Sequence, residues 1–77
     1  MEREFELKYI QMGLKVAYYR KLRGLTQEEL AERIGLTTTF IGHIEAPNMV
    51  TPISLDTLFK VARELDVPEY KFFLFDE

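Results

Sequence analysis

Residues 26–45 read TQEELAERIGLTTTFIGHIE, and their reading decides the fold. Thr26 stands three residues before Glu29, the spacing at which a hydroxyl and a carboxylate cap each other's backbone N–H at a helix start. Leu30, Ala31 and Ile34 then recur at helical spacing and face inward. Gly35 ends the run, because glycine accepts the left-handed conformation just past a helix. Thr37 is a second N-cap, and Ile41 and Ile44 supply the inward face of the helix it opens. Pro47 stops that helix.

Two helices joined by a tight turn at a glycine make a helix-turn-helix plan. Gln27 to Ala46 fit it throughout. Ala31 is small where the helices cross, and Leu36 adds an apolar contact beside the turn. The second helix poses a question, because TTTFIGHIE holds no Lys or Arg.

Outward from this core the chain reads as all helix. A first helix is predicted from about Arg3 to Leu22, with Phe5, Tyr9, Met12, Val16 and Tyr19 on one face. Leu7, Ile10, Leu14 and Ala17 form a second stripe, which predicts partners on more than one side. Gly13 costs about 1 kcal/mol relative to Ala in a helix and marks the expected place for a break or bend. Residues 46–52, APNMVTP, read as a loop. Ser54 caps a fourth helix with Asp56 near its positive end, and Leu55, Leu58, Phe59, Ala62 and Leu65 form its expected apolar face. A short last element follows Val67-Pro68.

Seventy-seven residues make one small domain over 1–77. With no Cys and one His, neither a disulfide nor a zinc site is expected to hold it together; no cofactor is expected either. No apolar run approaches the roughly 18 residues of a membrane span, and MEREFELKYI alternates charge with apolar residues, unlike a signal peptide. The expectation is a soluble cytoplasmic protein. The net charge is −3, but it is unevenly spread: residues 13–53 carry five bases against four acids, and residues 54–77 three bases against six acids. Catalysis finds no support. Glu28 and Glu29 are adjacent and do not face each other, and no nucleophile–base pair or phosphate-cradling glycine loop is present.

The stretch RKLRGLTQEELAERIGLTTTFIGHIE, followed by SLDTLFKVARELDVP, resembles the phage-repressor helix-turn-helix family, also called the Cro/Xre type. The resemblance spans roughly residues 13–70. It implies an all-α, five-helix lambda-repressor-like domain that binds operator DNA as a symmetric dimer and regulates transcription. It implies that residues 37–45 are the recognition helix, with Thr37, Thr38, Thr39 and His43 facing base edges. Gln27 would donate to a phosphate, and Arg20 and Glu45 would form a buried ion pair that sets the angle of the recognition helix.

The residue chemistry bears on each of these. A helix N-terminus favours an anion near Gln27 and Thr26, the alternative being an exposed helix start. Threonine hydroxyls donate or accept at base edges, and their methyls pack on the thymine methyl; the alternative is a plain solvent-facing helix start. His43 is either a donor to guanine or phosphate or an ordinary surface side chain. Electrostatic affinity need not come from the recognition helix. Lys21 and Arg23 precede the second helix, Lys15 and Arg33 are further cations, and Asn48 and Thr51 are donors in the loop. Arg20 and Glu45 are either the implied pair or two solvated charges. Phe40 is expected on the 46–52 loop or Met49, with a thymine methyl or sugar face as the other choice.

Two segments depart from the family pattern. Residues 1–12 extend it at the N-terminus. YKFFLF at the other end is too apolar to enter one side of a small core, so residues 68–75 are expected to form a dimer interface through Tyr70, Phe72, Phe73 and Phe75. A second reading stays open: a helix-turn-helix interaction module or antitoxin, with an unknown protein partner and weak or no DNA binding.

Overall fold

The computed structural model describes residues 1–75. Among these, four α-helices are followed by one short 3-10 helix: α1 Arg3–Leu22, α2 Gln27–Ile34, α3 Thr38–Glu45, α4 Leu55–Leu65, then Glu69–Phe73. The fifth element of the expected five-helix domain is therefore a 3-10 turn. Pro68 opens it without a side-chain cap, and Phe73 ends it after five residues.

Local signals set the helix boundaries. Thr26 accepts from the Glu29 N–H at 3.0 Å while the Glu29 carboxylate accepts from the Thr26 N–H at 3.0 Å, so the capping box is closed. Gly35 adopts φ +72, and the Leu36 N–H reaches back to the Ala31 carbonyl at 2.9 Å. The same closure recurs after α1 at Gly24 and after α4 at Asp66, which takes φ 54 without being a glycine. Thr37 and Ser54 cap α3 and α4 by accepting from Phe40 N and Thr57 N.

The Thr26 backbone N–H, then its hydroxyl, hold the Glu29 carboxyl below its ordinary range. A carboxylate with a depressed folded pKa contributes stability that is present above its unfolded pKa and is lost as pH falls through the folded value. Glu29→Gln is therefore expected to lower the melting temperature near neutral pH and to leave it nearly unchanged in strong acid. Paired thermal melts across that range check this.

The core lies where α1 and α2 pack on α3, with α4 against α2 and α1 and the 3-10 helix closing on α1 and α4. Val16, Leu30, Ile41, Leu58, Leu65 and Phe72 are fully buried in it. Tyr19 packs edge-on against Phe72 with ring centroids 5.6 Å apart. In α4 the buried face is Leu58, Val61, Ala62 and Leu65. It is rotated from the expected one, and Leu55 and Phe59 point to solvent.

Helix α1 runs unbroken through Gly13, contrary to the expected bend. Gly13 is buried, and a Cβ built on it would collide with the Ile44 carbonyl oxygen in α3. The glycine is there for close approach: it lets the α1 backbone lie against the end of α3.

Candidate nucleic-acid interface

Helix α3 has two sides of different chemistry. Ile41 and Ile44 anchor it in the core, and Phe40 is half-buried and packs against the same core. Thr38, Thr39 and His43 are exposed. Thr39 and His43 stand four residues apart, so they lie above one another on one face. Thr37 is also exposed, and its hydroxyl oxygen is engaged as the cap of Phe40 N at 3.1 Å. Gly42 keeps the α3 surface low beside Gln27, whose Oε1 would lie 3.6 Å from an added Cβ.

The inner end of α3 is held by a charged cluster. Arg20 Nε donates to Glu45 Oε2 at 2.7 Å and Arg20 Nη2 to Glu45 Oε1 at 2.8 Å. Arg20 Nη1 donates to the Leu25 carbonyl at 2.7 Å, and Gln27 Nε2 donates to Glu45 Oε1 at 3.0 Å. Both ion-pair residues are 7% exposed. Glu45's hydrogen bonds hold the Arg20 guanidinium pKa above its ordinary value, against the opposing effect of burial. The structure thus brings Arg20 and Glu45 together in a bidentate pair that ties α1 to the last turn of α3, and Gln27 joins α2 to it.

The residues expected on the phosphate side are placed less uniformly. Lys21, Thr26 and Asn48 are exposed and Gln27 is half-buried. One Gln27 amide hydrogen serves Glu45, which leaves the other for an outside acceptor. Arg23 is occupied within the fold: its Nε donates to the Leu65 carbonyl at 2.7 Å and its Nη2 to the Asp66 carbonyl at 3.1 Å. It fastens the end of α1 to the end of α4. Thr51 Oγ1 donates to the His43 carbonyl at 3.1 Å, and so ties the loop back to α3. Partners of this kind, set by the fold and not by helical spacing, leave no periodic trace in a sequence.

At the C-terminal end, Tyr70 and Phe73 are exposed and Phe75 is half-buried. Phe73 and Phe75 meet edge-on at 6.3 Å, and Lys8 Nζ sits 5.6 Å from the Phe75 ring centroid. Phe72 is corrected from the expected dimer set. It is 0% exposed and fills the core of its own chain. Among the described residues no helix is long and apolar enough to cross a membrane.

A two-helix unit with one helix locked inward and its polar face turned out defines a helix-turn-helix domain of the phage-repressor, Cro/Xre type. The sequence model of the helix-turn-helix family matches residues 16–72, and the chain belongs to that family. The HTH-type transcriptional regulator SinR of Bacillus subtilis (strain 168) is 38% identical over 56 residues, covering 73% of this chain and 50% of SinR. The chain thus spans about half the length of this relative. The crystal structure of SinR, the master regulator for biofilm formation, in complex with DNA superposes with a TM-score of 0.74 at 34% identity, covering 80% of this chain and 97% of that one. The restriction-modification controller protein C.AhdI from Aeromonas hydrophila gives a TM-score of 0.76 at 29% identity, over 84% and 96% of the two chains.

Proposed function

We propose that this protein is a DNA-binding transcriptional regulator, not an enzyme, that lays α3 in the major groove of a near-palindromic operator and works as a homodimer. The observation that carries the reading is the exposed Thr38, Thr39 and His43 face on a helix whose other side is fixed by Ile41, Ile44 and Glu45. Threonine hydroxyls and methyls and an imidazole N–H distinguish base edges without a formal charge. That answers the question posed by the uncharged recognition segment: reading and attraction are separate tasks. Attraction falls to Lys21 and Arg23, whose charge the Leu65 and Asp66 carbonyls do not neutralise, while Thr26, the outer amide hydrogen of Gln27 and Asn48 donate to phosphate, with Thr37 beside the base-reading face. Arg23 and Thr51 also hold these elements in place. SinR, similar in sequence and fold, has been solved with DNA, which supports the reading. Tyr70, Phe73 and Phe75 are the proposed dimer contacts, and a two-fold pair would set the two α3 helices about 34 Å apart, one helical turn of DNA.

The test is binding to duplex DNA from the protein's own upstream region, with random duplex alongside, at several salt concentrations. Saturable binding much tighter than to random duplex, and weakening as salt rises, is expected. Combining Thr38→Ala, Thr39→Ala and His43→Ala is expected to cut the ratio of specific to random binding by tenfold or more. The salt slope should change little, because base contacts carry specificity and phosphate contacts carry the salt dependence. Lys21→Ala is expected to weaken both duplexes alike and to lower the slope by about one. An unchanged specificity ratio in the triple variant would sink the assignment of α3.

The second reading is an interaction module or antitoxin that binds a protein. It is favoured by a groove of about 390 Å³ bounded by Phe5, Met12, Ile53, Leu55, Phe73 and Phe75. Folded protein that binds neither duplex at low salt would favour it over the first.

A further inference from the structure

The outer side of α1 carries apolar side chains that stay exposed among the described residues. Leu7 and Leu14 are each 45% exposed and Tyr18 is 61% exposed. They lie on the side of α1 away from Met12, Gly13, Val16 and Arg20, which are buried. With Gln11 they form the series 7, 11, 14, 18, and the exposed Glu4 and Lys21 continue it at either end. Steps of 3 and 4 residues from residue 4 to residue 21 give this seam heptad spacing, with the apolar positions 7, 14 and 18 in the middle and charges at both ends. A shallow depression of about 480 Å³ on this face is bounded by Gln11, Leu14, Lys15, Tyr18 and Tyr19. Positions 11, 14, 15 and 18 have the i, i+3, i+4, i+7 spacing of the four-residue hole that receives a knob from a facing helix. Most of the seam precedes residue 16, where the family match begins.

The charges on the seam select its occupant. Its N-terminal end is Glu4 and its C-terminal end is Lys21. A second α1 laid parallel would set Glu4 on Glu4 and Lys21 on Lys21, and like charges in contact repel. A second α1 laid antiparallel, in the register of full overlap, sets Glu4 of each copy on Lys21 of the other. The same register places Leu7 on Tyr18 and Gln11 on Leu14. On one flank Ile10 then meets Ala17, and on the other Lys8 approaches Lys15, whose long side chains keep both ammonium groups in solvent. We propose that the outer face of α1 is a self-association surface on which two copies pair antiparallel through Leu7, Gln11, Leu14 and Tyr18, with Glu4–Lys21 pairs at both ends. A 20-residue helix is roughly 30 Å long. Two such helices bury an area near the ~1,000 Å² lower limit of a specific interface, so the test is run at micromolar concentration. This surface is separate from the C-terminal aromatic residues, and a chain that uses both would assemble beyond a dimer. Lys21 also stands among the proposed phosphate donors, so the test is made without DNA.

The chain has no Cys, so introduced thiols are the only ones present. Full-length Glu4→Cys and Lys21→Cys proteins, mixed and oxidised at micromolar concentration, are expected to form the mixed 4–21 disulfide at least tenfold over the 4–4 and 21–21 forms. Sedimentation in a Phe73→Asp background, which places a charge in the C-terminal contact, is expected to retain a concentration-dependent association. Leu7→Glu with Leu14→Glu, both at exposed positions, should weaken that association at least tenfold while the far-ultraviolet spectrum stays helical. A statistical mixture of disulfides overturns the proposal, as does a Phe73→Asp protein that is monomeric throughout or an association indifferent to the Leu7 and Leu14 changes.

Discussion

Gly13→Ala is expected to destabilise the domain by about 3 kcal/mol or more, at the upper end of what overpacking costs. The sign is the informative part. In the interior of an ordinary helix, replacing glycine by alanine stabilises by about 1 kcal/mol. Here the added methyl would enter the Ile44 carbonyl oxygen, a backbone atom that no side-chain rotation can move away. Relief requires α1 and α3 to separate, and that separation would also lengthen the Arg20–Glu45 hydrogen bonds two turns along. A chain of this size holds about 4–12 kcal/mol of total stability, so the loss is a large share of it. For about 3 kcal/mol the corresponding fall in melting temperature is about 12–24 °C, from 4–8 °C per kcal/mol. Gly42→Ala is the matched control. Its methyl would meet only Gln27 Oε1, at an ordinary contact distance of 3.6 Å, so it should leave the melting temperature unchanged or raise it. Thermal unfolding of the three proteins side by side decides the matter. Equal melting for the two alanine variants would mean that α1 and α3 are not in the contact described.

Gly13 also marks the limit of what can be read from sequence. The capping residues Thr26, Glu29, Thr37 and Ser54, and the turn glycine Gly35, act on backbone within four residues of themselves, so their spacing discloses them. The helix boundaries and the two-helix unit follow from that local chemistry. Gly13 looks like a local weakness because its partner, Ile44, is 31 positions away. Still longer separations, 42 and 43 positions, hide Arg23, whose acceptors belong to Leu65 and Asp66. Thr51 is only 8 positions from its acceptor, the His43 carbonyl, and is hidden because the intervening loop has no regular spacing. Burial within an apolar run is equally hard to read. Phe72 and Phe73 are neighbours of the same type, yet one fills the core and the other faces solvent, because a 3-10 helix turns successive residues apart by about 120°. In α4, Phe59 and Val61 exchange the sides that hydrophobicity assigns them, since only Val61 faces the core. Arg20 and Glu45 stand out through family resemblance, whereas the part played by Gln27 in their cluster required the fold.

The Arg20–Glu45 pair should behave differently when one member is removed and when both are. Glu45→Leu leaves the Arg20 guanidinium buried, with the Leu25 carbonyl still accepting from it. Arg20→Met leaves the Glu45 carboxylate buried, with Gln27 still donating to it. Each single change is expected to cost about 3–5 kcal/mol, the usual consequence of stranding a buried charge. Arg20→Met combined with Glu45→Leu strands neither, and apolar replacement of buried pairs is often nearly neutral. The double variant should therefore be more stable than either single one, and urea unfolding of the four proteins measures the coupling directly. Arg20→Lys tests the geometry: an ammonium keeps the charge but cannot place two parallel N–H groups on one carboxylate while also reaching the Leu25 carbonyl. It should fall between the wild type and Arg20→Met. The double variant then separates stability from function. It keeps the apolar core but loses the fork that fixes the last turn of α3 against α1, and Gln27 loses its acceptor. A protein that melts near the wild-type temperature and yet discriminates its operator at least tenfold less well would show that the pair serves to aim α3. A double variant that equals the wild type in both respects would show that Ile41, Ile44 and the Gly13 contact suffice to orient the helix, and that the charges are dispensable.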